Sequence, residues 1–215
     1  MSRNLSIYII SWLLIQLLIQ VNCQMTPFKP LQREHHTATF INDKLYILGG
    51  RSEKPINDET IGKQFFYLDV SVQFNTQELL WNDLTSINLV PSHSNAASVN
   101  GGANNGILFL YGGFSNETMD LVYTFDTNTN SWSVPKTIGK NIDSKGSLTG
   151  IVNDDRKMYL FGGHDGNETL NDMLILDTIN LNWGKGSFVN APTPIILYGA
   201  TLLSNQHIIY LGKKR

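Results

Sequence analysis

The feature that most constrains this chain is a three-part motif that recurs in register. Three apolar segments each run into a glycine pair: Leu45-Tyr46-Ile47-Leu48-Gly49-Gly50, Leu108-Phe109-Leu110-Tyr111-Gly112-Gly113 and Met158-Tyr159-Leu160-Phe161-Gly162-Gly163. An apolar segment ending in aspartate follows each pair, at Asp69, Asp126 and Asp177, and a tryptophan follows each aspartate, at Trp81, Trp132 and Trp183. A fourth unit opens with Ile208-Ile209-Tyr210-Leu211-Gly212 and departs at Lys213. Gly112 to Gly162 and Gly162 to Gly212 are both 50 residues, and the tryptophans are 51 apart. The first glycine interval is 63 residues, and its excess falls almost wholly in the connections, where a repeat of packed strands tolerates insertion.

Each unit predicts four short strands. The run before the glycines is continuously apolar, short and bounded by turn residues, which fits a strand buried on both faces. Phe65–Leu68, Val122–Phe125 and Met173–Leu176 give the next strand, rich in β-favouring and aromatic residues. Asp126-Thr127-Asn128-Thr129-Asn130 is turn chemistry, and the tryptophan opens an outer strand. Thr37–Ile41, Ala96–Val99, Leu148–Val152 and Ala200–Leu203 mark a preceding strand. A four-stranded sheet repeated in this way buries both faces only by stacking on its neighbours, which makes it a propeller blade. The glycine pair is expected where a crowded strand end takes positive φ and leaves room for a neighbouring aromatic. Antiparallel succession puts the post-glycine loops on one rim and the Asp-to-Trp turns on the other.

The combination of glycine pair, aspartate and spaced tryptophan resembles the kelch repeat, over residues 33 to 215. The tyrosine that usually precedes the aspartate in that family is replaced by Leu68, Phe125 and Leu176. The resemblance implies an all-β, kelch-type β-propeller, in the fold group of the galactose oxidase central domain. Here it is incomplete, with three four-stranded blades and half a fourth. The resemblance does not imply an activity, because propellers host many functions.

Ahead of the repeat, Arg3 precedes an apolar run from Leu5 to Val21, then Asn22, Cys23 and Gln24. That order describes a secretory signal peptide helix over residues 1–23, with a mature start near Gln24. The alternative is an uncleaved anchor at residues 5–21, the one route by which a membrane would be a partner. Residues 24–32 read as a linker, and the units fall at about 33–92, 93–143, 144–194 and, in part, 195–215. The secreted, extracellular or luminal compartment is therefore the expectation. Stopping in mid-motif, the chain reads as a fragment of a longer propeller; the alternative is a short protein that closes its ring by self-association through the open edge. The isolated first and last units are both expected to expose apolar faces.

Chemistry is sparse. Charged residues are 16% and the formal net charge is −2, so the basic footprint of a nucleic-acid binder is absent. Cys23 is the single cysteine and leaves with the signal peptide, which excludes a tyrosine–cysteine copper cofactor in the mature chain. None of His35, His36, His93, His164 and His207 stands in a metal-binding spacing. The expectation is therefore no catalytic, cofactor or metal residue, and a non-enzymatic module that binds a protein or glycan through its rim loops. The competing reading is a piece of a galactose oxidase-like or other carbohydrate-active enzyme whose catalytic residues lie outside this chain. Asn116-Glu117-Thr118 and Asn167-Glu168-Thr169 are sequons at equivalent loops, open both to N-glycosylation and to a plain turn role. The long loop Arg51–Gln64 is the expected contact surface, with a disordered insertion as the alternative.

Overall fold

The computed structural model describes residues 27–53 and 58–212, together with Trp12. Apart from Trp12, the expected signal peptide and its cleavage site lie outside the described residues. Sheet one is β1 (Thr37–Ile41), β2 (Lys44–Leu48), β3 (Phe65–Asp69) and β4 (Trp81–Asp83), paired in that order and antiparallel throughout. Sheet two repeats the order with β5 (Ala97–Gly101), β6 (Ile107–Tyr111), β7 (Val122–Asp126) and β8 (Ser131–Ser133). After the two-residue β9 (Ile138–Gly139), sheet three consists of β10 (Gly150–Val152), β11 (Lys157–Phe161), β12 (Met173–Asp177) and β13 (Asn182–Lys185). Sheet four is the pair β14 (Gly199–Leu202) and β15 (Ile208–Leu211). The four sheets form an open propeller arc, as the repeat predicts.

Sheet three has a fifth strand that the repeat does not announce. β9, on the way from sheet two, pairs parallel with β13, Ile138 opposite Asn182 and Gly139 opposite Trp183. Two residues carry no periodicity, so only the tertiary position of β13 makes them a strand.

The core lies between sheets, as a stacked-blade fold requires. Tyr46, Leu48 and Phe65 of sheet one pack with Leu108, Leu110, Tyr123 and Phe125 of sheet two. Phe109, Tyr111 and Val122 on the other face of sheet two pack with Met158, Leu160 and Leu174. Successive residues of one strand thus serve two interfaces, which is why these strands read as unbroken apolar runs rather than alternating ones.

Two expectations are corrected. The first unit's outward face is covered around Phe66, although Phe40 on β1 stays 54% exposed. Phe28 packs on Phe66 with ring centroids 5.3 Å apart, the Arg33 guanidinium sits 4.7 Å above the same ring, and Trp81 meets it edge-on. Ile47, Phe66 and Leu68 are buried on this face, so Phe28, within the segment read as a linker, is part of a cap. The segment Arg51–Gln64 is not a plain loop either. It contains helix α1 (Asp58–Lys63), whose Ile61 and Gly62 are buried. A Cβ at Gly62 would meet the backbone nitrogen of His93 at 2.9 Å. α1 is therefore part of the packed structure, and replacing it with a linker would open the interface between sheets one and two.

Candidate functional site

The glycine pairs are joints between units. All six glycines have positive φ: 67° and 102° at Gly49 and Gly50, 62° and 96° at Gly112 and Gly113, 66° and 87° at Gly162 and Gly163. The second glycine of each pair donates its N–H to the next unit: Gly50 to the His93 carbonyl, Gly113 to that of Lys145 and Gly163 to that of Ile195, at 2.9, 2.9 and 3.0 Å. The same carbonyls crowd the first glycine. A Cβ at Gly49 would lie 2.9 Å from the His93 oxygen and one at Gly162 2.7 Å from the Ile195 oxygen. At Gly112 and Gly162 the nearest neighbour is thus a backbone carbonyl of the next unit rather than the expected aromatic, while at Gly49 the His93 ring comes closer still, at 2.7 Å.

Two residues further on, a second relay ties the units near the inner strands. Asn95 donates its N–H to the His35 carbonyl, Ser147 to that of Asn95, and Leu197 to that of Ser147, at 2.8, 2.8 and 2.9 Å. All four residues adopt left-handed φ. The spacing of His35, Asn95, Ser147 and Leu197 carries this pattern, but their unlike side chains hide it.

The aspartates and tryptophans also serve the framework. Asp177 accepts N–H bonds from Ile179 and Asn180 at 2.9 and 2.8 Å, and Asp126 accepts one from Asn128 at 2.8 Å. Asp69 binds both the N–H and the hydroxyl of Ser71. Each aspartate thus closes an Asx turn, which leads directly into the outer strand after Asp126 and Asp177 and into a longer connection after Asp69. The Ser71 bonds hold the Asp69 carboxyl below the usual carboxylate range. At Asp177 partial desolvation raises the pKa, and the Asn180 and Ile179 bonds more than offset it. Trp132 packs on Phe65 of the preceding unit with centroids 5.1 Å apart, and Trp183 on Tyr111 at 5.5 Å. Trp81 packs on Phe66 of its own sheet instead. Trp183 is buried, whereas Trp81 and Trp132 are half-buried, so the three are not equivalent in burial.

What remains for function is the non-repeating surface of the glycine-side rim. There the turn around Gly50 and Arg51, the start of α1, Ser92–Ser94 and Phe114–Glu117 enclose a cavity of about 480 Å³ between units one and two. Among the described residues three carboxylates line it, Asp58, Glu59 and Glu117, against one cation, Arg51, which is already paired with Glu34 at 2.9 Å. His93 forms part of the wall and is 3% exposed. Its Nδ1 lies 2.8 Å from the Pro91 carbonyl, so Nδ1 carries the proton and donates, leaving Nε2 as an acceptor. Desolvation lowers the His93 pKa, with the Pro91 bond acting against it, so the ring is neutral. Nε2 has no hydrogen-bond partner among the described residues.

His93 also stands out along the repeat. The matching position is Arg33 in unit one, Lys145 in unit three and Ile195 in unit four. Arg33 donates to the Gly49 and Ile61 carbonyls at 3.0 and 3.3 Å. Lys145 donates to the Gly162 carbonyl at 3.3 Å and forms a buried ion pair with Asp172. In unit two a neutral imidazole stands at this position, and it packs on Gly49 of unit one rather than on its own unit's glycine pair.

The other sequence candidates disperse. Asn116 and Asn167 are both exposed at loop tips on this rim, and only Asn116 borders the cavity. His164 donates its backbone N–H to the Gly146 carbonyl, and its Nδ1 accepts the Gly166 N–H at 2.9 Å. Gly101–Gly106 is a hairpin turn docked on unit three, where the Gly102 N–H meets the Thr178 hydroxyl at 3.1 Å. Among the described residues no group of three histidine, cysteine, aspartate or glutamate side chains could hold a metal ion, and no helix is long and apolar enough to cross a membrane. Apart from Trp12, the segment 5–21 lies outside those residues. Sequence reasoning missed the cavity, whose one signal was the exchange of cation for histidine at position 93.

Comparison with known proteins agrees with this architecture. The model of the KLHDC2/KLHL20/DRC7 Kelch-repeats domain matches residues 35–215. The chain is 26% identical to acyl-CoA-binding domain-containing protein 6 of Oryza sativa subsp. japonica, covering 90% of this chain and 30% of that protein. It is 26% identical to Kelch domain-containing protein 3 of Rattus norvegicus, covering 85% and 49%. Host cell factor of Drosophila melanogaster is 29% identical over 49% of this chain and 8% of its own length. The chain thus spans half or less of these relatives. The solved structure of YjhT superposes with a TM-score of 0.61 at 16% identity, covering 81% of this chain and 55% of the other, which shows a shared fold. With its glycine-pair joints, stacked four-stranded sheets and a family match over residues 35–215, the chain belongs to the kelch-repeat propeller family.

Proposed function

We propose that this chain is a non-catalytic interaction module of the secretory pathway that engages a protein partner through its glycine-side rim. Kelch-repeat domains are typically protein-interaction modules. One observation carries the choice of rim. The repeating glycines, aspartates and tryptophans are engaged in joints, turns and packing, while the segments that differ between units one and two converge on one cavity. Residues 1–23 direct export, and Asn116 and Asn167 are then available to glycosyl transfer at exposed tips.

A photo-crosslinking residue placed at Ser115 on this rim, and in a second protein at Asn104 on the opposite rim, tests the reading in exported material. Discrete protein adducts from position 115 and none from 104 are expected. Adducts only from 104, or from neither, would overturn it. N-terminal sequencing of the exported chain is expected to begin near Gln24; a Met1 start in membranes would replace export with anchoring. A mass shift on glycosidase treatment that disappears in N116Q and N167Q reads out the sequons.

A further inference from the structure

We propose that Asp165–Gly166 is a self-modification site: with His164 as the base, the Gly166 backbone nitrogen closes onto the Asp165 side chain to a succinimide, and water reopens the ring to isoaspartate. The inference is independent of the rim-binding reading above. The pair lies in the loop between β11 and β12 and is the one Asp-Gly step in the sequence. The loop after Gly113 in unit two runs Phe114-Ser115-Asn116-Glu117-Thr118, whereas that after Gly163 runs His164-Asp165-Gly166-Asn167-Glu168-Thr169. Against unit two, unit three has exchanged an aromatic ring for a base and a hydroxyl for a carboxyl, and has gained a glycine directly after them.

The nucleophile is already paired with its base. Gly166 donates its N–H to His164 Nδ1 at 2.9 Å, within the reach that proton transfer requires. Accepting through Nδ1 requires a neutral ring protonated on Nε2, so the Nδ1 lone pair faces the proton that must leave. Phe114 meets the same ring edge-on, with centroids 6.4 Å apart, and helps to hold its orientation. Gly166 has no Cβ to obstruct the approach and has a φ of 103°. A Cβ built there would meet nothing within 4 Å, so the backbone is free to turn toward the carboxyl.

The electrophile is held as well. Asp165 Oδ1 accepts the Asn167 and Glu168 N–H groups at 2.8 and 2.9 Å, which folds the carboxyl back over the Gly166 backbone. The same two donors stand where negative charge develops on Oδ1 once Cγ becomes tetrahedral, the arrangement of an oxyanion hole. In the first step the N–Cγ bond forms as His164 takes the proton from the nitrogen. The Cγ–Oδ2 bond of the protonated carboxyl then breaks, and His164 passes its proton to the departing hydroxyl, which leaves as water. In the second step water cleaves the imide at the main-chain carbonyl carbon of Asp165. The chain then runs through Cγ, and the former main-chain carbonyl becomes a free carboxylate. No oxidant or reductant takes part. The N–H bonds from Glu168 and Asn167 hold the carboxyl below the usual carboxylate range, so only a small protonated fraction reacts and the change accrues slowly. The two Asn-Gly steps of the chain are restrained by the fold. Asn100 is paired with Leu108 inside its sheet, and the Asn105 amide oxygen is held by Arg156 of unit three.

The test incubates the exported full chain in neutral buffer made with ¹⁸O-water. Peptide mapping by electron-transfer fragmentation then separates isoaspartate from aspartate. Isoaspartate carrying solvent oxygen is expected at position 165, while Asn100 and Asn105 stay unconverted. H164F installs the residue that unit two carries at this place and is expected to slow the reaction at least about tenfold. A loop merely loosened by that substitution would react faster, not slower. In urea the order is expected to invert: the two Asn-Gly steps convert first and H164F no longer matters. That inversion separates catalysis by the folded loop from the intrinsic lability of the sequence. Absence of labelled isoaspartate at position 165 in the folded chain would overturn the proposal. So would equal rates in the unaltered chain and H164F, or faster conversion at Asn105 than at Asp165 while the chain is folded.

Discussion

The two ends of the arc use the same strand differently. In sheet one Tyr46 and Leu48 face sheet two and are 1% and 0% exposed. Their motif equivalents in sheet four, Ile209 and Leu211, point away from sheet three and are 39% and 69% exposed. The residue between them behaves conversely. Ile47 faces away from the other sheets yet is buried under the Phe28 and Arg33 cover, while Tyr210 packs on Phe161 and Tyr198. Sheet one has acquired a substitute neighbour from residues 27–33, and the outer face of sheet four has none among the described residues. Burial in this fold is therefore a property of the interface rather than of the motif, as expected where stability sums over contacts between units.

The sharpest way to break the comparison is to ask what the bare face does in solution. The mature chain is expected to self-associate as concentration rises, because Ile209 and Leu211 form an exposed apolar stripe on a strand with an unpaired edge. L211K is expected to shift light-scattering mass toward the monomer. A monodisperse monomer at every concentration would show that sheet four tolerates exposure. The next effect is on stability. L48A is expected to cost about 2–5 kcal/mol in chemical denaturation, while L211A at the equivalent position should stay within about 0.5 kcal/mol. Similar losses at both sites would mean that sheet four is covered in solution.

The cap gives a smaller signal. F28A removes half of a tilted aromatic pair and uncovers Phe66, and is expected to cost about 1–2 kcal/mol, mainly through lost burial. No change would show that Arg33 and Trp81 cover the face by themselves. The smallest effect is on pH dependence. Burial depresses the His93 pKa in the folded chain, so the unfolded state takes up the proton first. Stability is then undiminished above the unfolded histidine value of 6.5 and falls as pH drops below it toward the folded pKa. In H93Q that part of the slope between pH 7 and pH 5 should disappear. The interface between units three and four carries Ile195 at the matching place and has no corresponding term. An unchanged slope would assign the acid sensitivity to other groups.

Much of the fold was legible in the residues. The strands before each glycine pair, the turns at Asp126 and Asp177 and the order of strands within a sheet follow from apolar runs bounded by residues with strong local turn preferences. The candidate site was not legible in this way. Its walls come from three separated segments, with Glu59 on α1, His93 before sheet two and Glu117 beyond the second glycine pair, and no local pattern links them. α1 was hidden because six residues interrupted by a glycine give no helical periodicity.

What the sequence by itself determined is the repeating unit: which residues pair into a sheet, where the chain turns, and that the inner sheets are apolar on both faces. These are consequences of short-range sterics and of apolar runs too long for one-sided strands. Tertiary structure alone decided which atoms each unit places against the next. It set the carbonyls of His93, Lys145 and Ile195 over the glycine pairs, laid Phe28 and Arg33 on sheet one, and pressed the His93 ring onto Gly49. Those outcomes depend on contacts between residues tens of positions apart, whose geometry exists only once the sheets have stacked.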